Sequence, residues 1–320
     1  MDHLKEAPDY LQDDHLSRGT KAYLKVLNGG APVESLPVGE ARRVLTDVQA
    51  AVHVDLSGIE ESERTVESEG YTLRLNLVRP SGAGRVHLPA FVFIHGGGWV
   101  LGDYPTHRRL VRDLVVESGC AAVFVNYTPS PEAHFPKAVE EVYAAVKWVA
   151  ENGREIGVDG SRLALAGNSV GGNMSLAAAL VAEDHGVLMW PVTDAGYDWD
   201  SYVKYGRQRF LTAPLMKWMF GKYVSDPAQR GNDLMSPVRA SAERLRGLPA
   251  TLIVVAENDI LRDEGEAMGR RLDEAGVEVT TVRFNGVVHD WGMLNGFAAL
   301  HPTRTLIRLV GSVLRDYLEK

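Results

Sequence analysis

Apolar residues gather in short blocks along this chain, with helical patterns between them. The blocks at 90–94, 121–126, 162–166, 187–192, 251–256 and 277–284 are too short for ordinary helices and predict strands, most of them buried. The runs at 108–117, 138–152, 173–180 and 303–318 hold good helix formers and predict helices. Strand and helix alternating in this way imply a mostly parallel sheet covered on both faces. Upstream, residues 64–78 alternate around Glu69-Gly70 and predict an antiparallel hairpin at the sheet edge. The first 50 residues read as helices and polar turns, the run at 21–27 ending at the Gly29-Gly30 stop signal. The segment 193–239 breaks the alternation. It sits between two core strands and is rich in aromatics, among them Tyr197, Trp199, Tyr202, Tyr205 and Tyr223, and its run at 214–220 is apolar on more than one face. That makeup predicts a cap that packs with the N-terminal helices over a site. Most of its aromatics are expected only to hold the cap together.

Composition narrows the class without naming it. A chain of 320 residues can form one large α/β domain with a small cap, and 45% hydrophobic with 24% charged residues is ordinary for a globule. A net charge of −8 argues against a nucleic-acid or anionic-membrane partner. The single cysteine, Cys120, excludes an intrachain disulfide and lies in an apolar stretch, so a buried thiol is expected. Residues 1–6 lack the apolar core of a signal peptide, and no apolar run reaches the ~18 residues of a membrane span. A cytoplasmic protein is the expectation.

Chemistry enters with two glycine-bearing segments. Gly167-Asn168-Ser169-Val170-Gly171-Gly172 lies between a predicted strand and a predicted helix. A Gly-x-Ser-x-Gly core in that context places a serine on a turn tight enough to demand small flanking residues. The helix that follows adds partial positive charge near the serine oxygen. Upstream, His95-Gly96-Gly97-Gly98-Trp99 follows another strand. A phosphate cradle would want Lys-Ser/Thr after the glycines, whereas Trp99-Val100-Leu101 follows here. An oxyanion hole fits better, with the N–H groups of Gly97, Gly98 and Val170 as donors.

A nucleophilic serine needs a base, and the base an orienting acid. In sheet hydrolases the order is serine, acid, histidine. His289 and His301 are the only histidines more than 20 residues beyond Ser169. His289 follows a strand and an expected Asn285-Gly286 turn, at a strand end where α/β sites form. His301 precedes Pro302 and reads as a helix start. The strand at 251–256 leads to Asp259, the candidate acid. Asp263 is its main competitor, although Asp263 and Glu264 suit the opening turn of the next helix. His95 is expected to anchor the glycine loop, and Glu132 to order a neighbouring loop.

These residues together resemble the hormone-sensitive lipase family of α/β-hydrolases, in its bacterial carboxylesterase branch. The match covers most of the chain. His95-Gly-Gly-Gly-Trp99, Asn126-Tyr127 with Pro131-Glu132-x-x-Phe135-Pro136, Gly167-Asn-Ser-Val-Gly-Gly172 and Asp259-Ile-Leu-Arg-Asp-Glu264 are similar to the family's motifs. The resemblance implies an α/β-hydrolase fold, a mostly parallel central sheet flanked by helices with a helical cap. The parts would be N-terminal cap helices at 1–50, the first part of the core at 51–192, a cap insertion at 193–239 and the rest of the core at 240–320. It also implies a serine carboxylesterase working on small short-to-medium acyl esters through Ser169, His289 and Asp259, with no cofactor and no metal. Trp99, Leu215, Met216 and Phe220 are the expected pocket walls. Family members often dimerise through the sheet edge, which leaves a homodimer open.

The chain departs from the family pattern in three places. Asn168 stands where an Asp is usual, which removes a charge beside the serine. Asp290-Trp291 follows His289 where Gly-Phe is usual, adding bulk and a carboxylate beside the base. The link to the strand at 187–192 is short, so that a loop is truncated or residues are missing near His185–Val187; a link of two to six residues still permits the fold. The triad alone does not separate an esterase from an amidase, deacetylase or lactonase. A non-catalytic small-molecule receptor on the same fold would have no need of the histidine.

Overall fold

The computed structural model describes residues 6–180 and 185–319, with backbone only at His185. An eight-stranded sheet forms the centre, in the order β1-β2-β4-β3-β5-β6-β7-β8. Its strands are β1 (Ile59–Ser68), β2 (Tyr71–Pro80), β3 (Leu88–Ile94), β4 (Ala121–Asn126), β5 (Val158–Asn168), β6 (His185–Met189), β7 (Thr251–Asn258) and β8 (Val279–Val288). β1 and β2 form the expected hairpin, and β2 pairs antiparallel with β4. Every pairing from β4 through β3, β5, β6 and β7 to β8 is parallel. The central strands bury both faces, which explains why Phe91–Ile94 and Leu252–Ala256 are continuous apolar runs rather than alternating ones.

Ten α-helices lie among the described residues. They are α1 (Arg18–Leu27), α2 (Val38–Ala50), α3 (Tyr104–Ser118), α4 (Lys137–Asn152), α5 (Val170–Ala179), α6 (Asp200–Lys204), α7 (Ala213–Tyr223), α8 (Ala242–Leu245), α9 (Arg262–Glu274) and α10 (His301–Leu318). α3 starts at a capping box formed by Asp103 and Thr106 and stops at Gly119 in the left-handed region. α5 is buried along nearly its whole length, which accounts for its Gly, Ala, Met and Leu content. None of these helices is long and apolar enough to cross a membrane. The short link before β6 falls at 181–184, outside the described residues.

The expected turn at Asn285-Gly286 is not a turn. β8 runs through it to Val288, and the pairing with β7 shifts register between Ala256 and Asn258. Gly286 has φ +78° and lies against Ser17, whose N–H donates to the Gly286 carbonyl at 3.0 Å. The glycine therefore bends the strand and lets the N-terminal segment approach, instead of reversing the chain.

Two charged pairs tie together the segments around the glycine loop and the N-terminus. Arg42 of α2 donates to both carboxylate oxygens of Glu132, at 2.8 and 2.7 Å, and to the carbonyls of Val100 and Ser130. Arg209 and Asp13, both buried, pair at 2.6 Å and join the N-terminal segment to the stretch between α6 and α7.

Candidate active site

The end of β5 turns into α5 at a single strained residue. Ser169 has φ 55° and ψ −121°, a conformation costly for a side chain with a Cβ. The turn is possible because its flanks are glycines. A Cβ on Gly167 would run into the backbone of Gly171, and one on Gly171 into the carbonyl of Ile94. The Ser169 N–H donates to Met189 O at 2.9 Å, and its carbonyl accepts from Val192 and Asn173. α5 begins at Val170, so its positive end adjoins the serine oxygen.

Three side chains from three strand ends converge there. His289, just after β8, has Nε2 3.0 Å from Ser169 Oγ. Its Nδ1 lies 2.7 Å from Oδ2 of Asp259, just after β7. A carboxylate can only accept, so Nδ1 carries the proton and Nε2 accepts from the serine hydroxyl. Asp259 is itself fixed by the Leu261 N–H, which donates to Oδ1 at 3.0 Å. All three residues are buried. Burial alone would lower the His289 pKa, but the Asp259 and Asp290 carboxylates outweigh it and hold the imidazole above its ordinary value. The arrangement can draw a proton from the serine and return it to a leaving group. Asp263 is elsewhere: it accepts from the Ser201 N–H and pairs with Arg262. Glu264 is fully buried in α9, where its Oε1 accepts from the N–H groups of Thr193 and Asp194, and burial pushes its pKa well up. His301 opens α10.

The glycine loop follows β3 and faces the serine. Gly97 and Gly98 have φ +109° and +63°, and both line the cavity that holds Ser169 and His289. The Gly97 carbonyl accepts from Val100 and Leu101, closing a tight turn. Among the described residues no acceptor engages the N–H groups of Gly97, Gly98 or Val170. His95 braces the loop from below: its Nδ1 lies 2.8 Å from Gly96 O, and its ring stacks on Phe124 and Tyr127. Burial depresses the His95 pKa to about 4, which keeps the ring neutral at ordinary pH. Asn168 Oδ1 accepts from the Gly96 N–H at 2.9 Å, and its Nδ2 donates to Asp290 Oδ1 at 3.0 Å.

The cavity above these residues has a volume of about 520 Å³. Of the four expected walls, only Leu215 faces it. Trp99, Met216 and Phe220 are buried behind it: the Trp99 ring stacks on Tyr223 at 4.3 Å and meets Phe220 at 5.2 Å. They are apolar because they are packed in the interior. The walls are instead Leu27 of α1, Val44, Leu45 and Val48 of α2, Phe210, Leu211 and Met219. The α2 residues were recognisable in the sequence, since Ala41, Val44, Leu45 and Val48 recur at the spacing of one helical face.

A family model described as the α/β-hydrolase fold matches residues 91–293. A crystal structure of a thermostable esterase from Pseudomonas putida superposes with a TM-score of 0.93 at 50% identity, covering 95% of this chain and 98% of that one. An ethyl acetate hydrolase of Pseudomonas putida is 31% identical over 293 residues, 84% of this chain and 90% of the relative. A carboxylesterase of Mycobacterium tuberculosis is 34% identical over 249 residues, 75% of this chain and 77% of its own length. With the sheet order, the strained serine turn and these matches together, the chain belongs to the hormone-sensitive lipase family of α/β-hydrolases.

Proposed function

We propose that this protein is a serine carboxylesterase that hydrolyses short-to-medium acyl esters. The observation that carries the reading is the continuous hydrogen-bonded line from Ser169 Oγ through His289 to Asp259, at 3.0 and 2.7 Å. His289 takes the serine proton as Oγ attacks the ester carbonyl. The N–H groups of Gly97, Gly98 and Val170 receive the oxyanion. His289 then protonates the leaving alcohol, and the acyl group stays on Ser169. Water attacks the acyl-enzyme with His289 again as base, releasing the acid and restoring the serine. Asp259 holds the imidazole in the tautomer that leaves Nε2 free to accept, and it steadies the imidazolium.

The enclosing walls support a substrate of limited size. A cavity of about 520 Å³ lies within the ~300–1,000 Å³ usual for small-molecule sites. Its apolar lining suits an acyl or alcohol chain and keeps water from competing with the ester. The esterase and carboxylesterase relatives favour ester over amide chemistry. The test is hydrolysis of p-nitrophenyl esters from acetyl to dodecanoyl, with the Ser169→Ala variant alongside. A high rate on short chains, a fall at longer ones and loss of activity in the variant are expected. A folded wild-type protein that cleaves none of them, or a Ser169→Ala variant as active as wild type, would overturn the reading.

A further inference from the structure

Asp290 is a buried carboxylate beside the base that the reaction above leaves without a task. It follows His289 directly, is 4% exposed and holds a left-handed backbone with φ 58°. Its Oδ1 accepts from Asn168 Nδ2 at 3.0 Å and from Trp190 Nε1 at 2.6 Å. Both donors are neutral. Among the described residues no donor engages Oδ2, which lies 3.8 Å from His289 Nε2, and Asp290 lines the cavity. A carboxylate with one oxygen clamped and the other turned to the base is costly to bury unless its charge is used.

We propose that Asp290 is a second carboxylate partner of the base, a positioning residue that stabilises the imidazolium of His289 from the cavity side while Asp259 does so from behind. Asn168 and Trp190 set its direction. Asn168 couples three parts of the site through one amide, since it also accepts from the Gly96 N–H at the root of the glycine loop. An aspartate at 168 would set a second carboxylate against Asp290 Oδ1, so the neutral amide and the added carboxylate make one arrangement. The groups that face the imidazole are Asp259 after β7, Asp290 itself and the Ser169 hydroxyl. No cationic side chain pairs with Asp290 among the described residues. Glu264 and Tyr202 are not among the groups that shift the ring; the Asp259 carboxylate is one of the charges that disfavour their own ionisation.

The consequence is a pH profile. Because a base must be unprotonated to act, a partner that favours imidazolium moves the acid limb of kcat/KM upward. A full charge 3.8 Å away, at an effective dielectric of about 20, would shift that limb by up to about three pH units. This inference rests on the triad reading, so the experiment includes Ser169→Ala. The pH dependence of kcat/KM on p-nitrophenyl acetate is measured for wild type, Asp290→Asn and Asp290→Ala. Asn keeps an oxygen for the Asn168 and Trp190 donors and removes only the charge; Ala removes both. The wild-type limb is expected above the ordinary histidine value of ~6.5, and both variants are expected to lower it by about one unit or more. A limb that stays in place in Asp290→Asn, or a wild-type limb at or below the ordinary value, overturns the proposal. Because Asp259 also raises the base, a high wild-type limb alone does not support Asp290, and the shift between wild type and Asp290→Asn, the variant that keeps both donors partnered, decides. A Ser169→Ala variant with wild-type activity would sink the triad reading instead. An inactive Ser169→Ala with an unmoved Asp290→Asn limb would sink only the role given to Asp290.

Discussion

Gly97→Ala tests whether the glycine loop is shaped for its N–H groups or merely loose. Two independent facts make the residue irreplaceable. Its φ of +109° is a conformation that only glycine adopts readily. A Cβ there would also sit nearer than 3.0 Å to the Leu101 carbonyl, a separation that real Cβ atoms essentially never show. The obstacle is backbone, and that backbone is held by the Gly97 carbonyl itself, which accepts from the N–H groups of Val100 and Leu101. The loop can admit alanine only by opening this turn. Backbone strain of ~1–3 kcal/mol is then traded against a displaced N–H. Losing one oxyanion donor costs about 3 kcal/mol in the transition state, so kcat should fall ~100- to 1,000-fold. Gly98→Ala is the internal comparison. Its Cβ would meet the Met219 side chain, which can swing aside, so the loss should be smaller and should shrink further when Met219→Ala is added. The assay is kcat and KM on a short-chain ester, with thermal unfolding to show that the variants fold. A folded Gly97→Ala within threefold of wild-type kcat would mean that the loop is merely loose and not shaped for its N–H groups.

Three further outcomes follow from the same structure. Asp259→Asn should lower kcat ~10,000-fold with little change in Tm, because an amide opposite Nδ1 favours the wrong imidazole tautomer; a loss under tenfold would remove Asp259 from the triad. His95 should make the fold acid-sensitive. Its folded-state pKa of about 4 lies below the ~6.5 of an unfolded chain, so its contribution is complete above pH 6.5 and is lost as pH falls towards 4. That loss amounts to about 3 kcal/mol at most, and urea unfolding at several pH values should show a shallower acid dependence in His95→Asn than in wild type. Arg209→Met should destabilise by ~3–5 kcal/mol, since it leaves the buried Asp13 carboxylate without its cation; a Tm unchanged from wild type would mean that the pair contributes nothing.

How legible the site was depended on whether its residues are constrained by backbone or by packing. Ser169, Asp259 and His289 stand at strand ends in recognisable contexts, and the structure brings them within hydrogen-bonding distance of one another. The glycines could be read because a positive φ or a close backbone approach excludes every other residue, and Gly97, Gly98, Gly167 and Gly171 each meet one of these demands. The strand–helix alternation could be read because buried strands and helices have different lengths and periods. The cavity walls could not be read in the same way. Trp99, Met216 and Phe220 are as apolar as Leu215, yet three fill the interior and one faces the cavity, a difference set by the direction in which α7 and the glycine loop are turned. Local pattern carries no information about that direction. Gly286 misled for a related reason: an Asn-Gly pair signals reversal when the chain is alone, but here neighbouring β7 and the segment at Ser17 hold both sides of it, and the strand continues.

The pairing of Asn168 with Asp290 was the least legible element, and it bears most on mechanism. Taken singly, the first substitution removes a charge beside the nucleophile and the second adds one beside the base. The two residues lie 122 positions apart and meet through one hydrogen bond of 3.0 Å. Together they leave a single negative charge in the polar layer under the cavity, moved from the nucleophile strand to the residue that follows the base. Trp190 closes the arrangement by donating to the same oxygen, and its ring packs on Trp291 at 4.3 Å. The bulk that follows His289 is therefore the packing support of that carboxylate. On this reasoning Asn168, Trp190, Asp290 and Trp291 form one unit, and their effects on the base should be non-additive. A double-mutant cycle on Asn168→Ala and Asp290→Asn, read as the acid limb of kcat/KM, measures this coupling. A shift in the double variant equal to the sum of the two single shifts would show that the residues act separately.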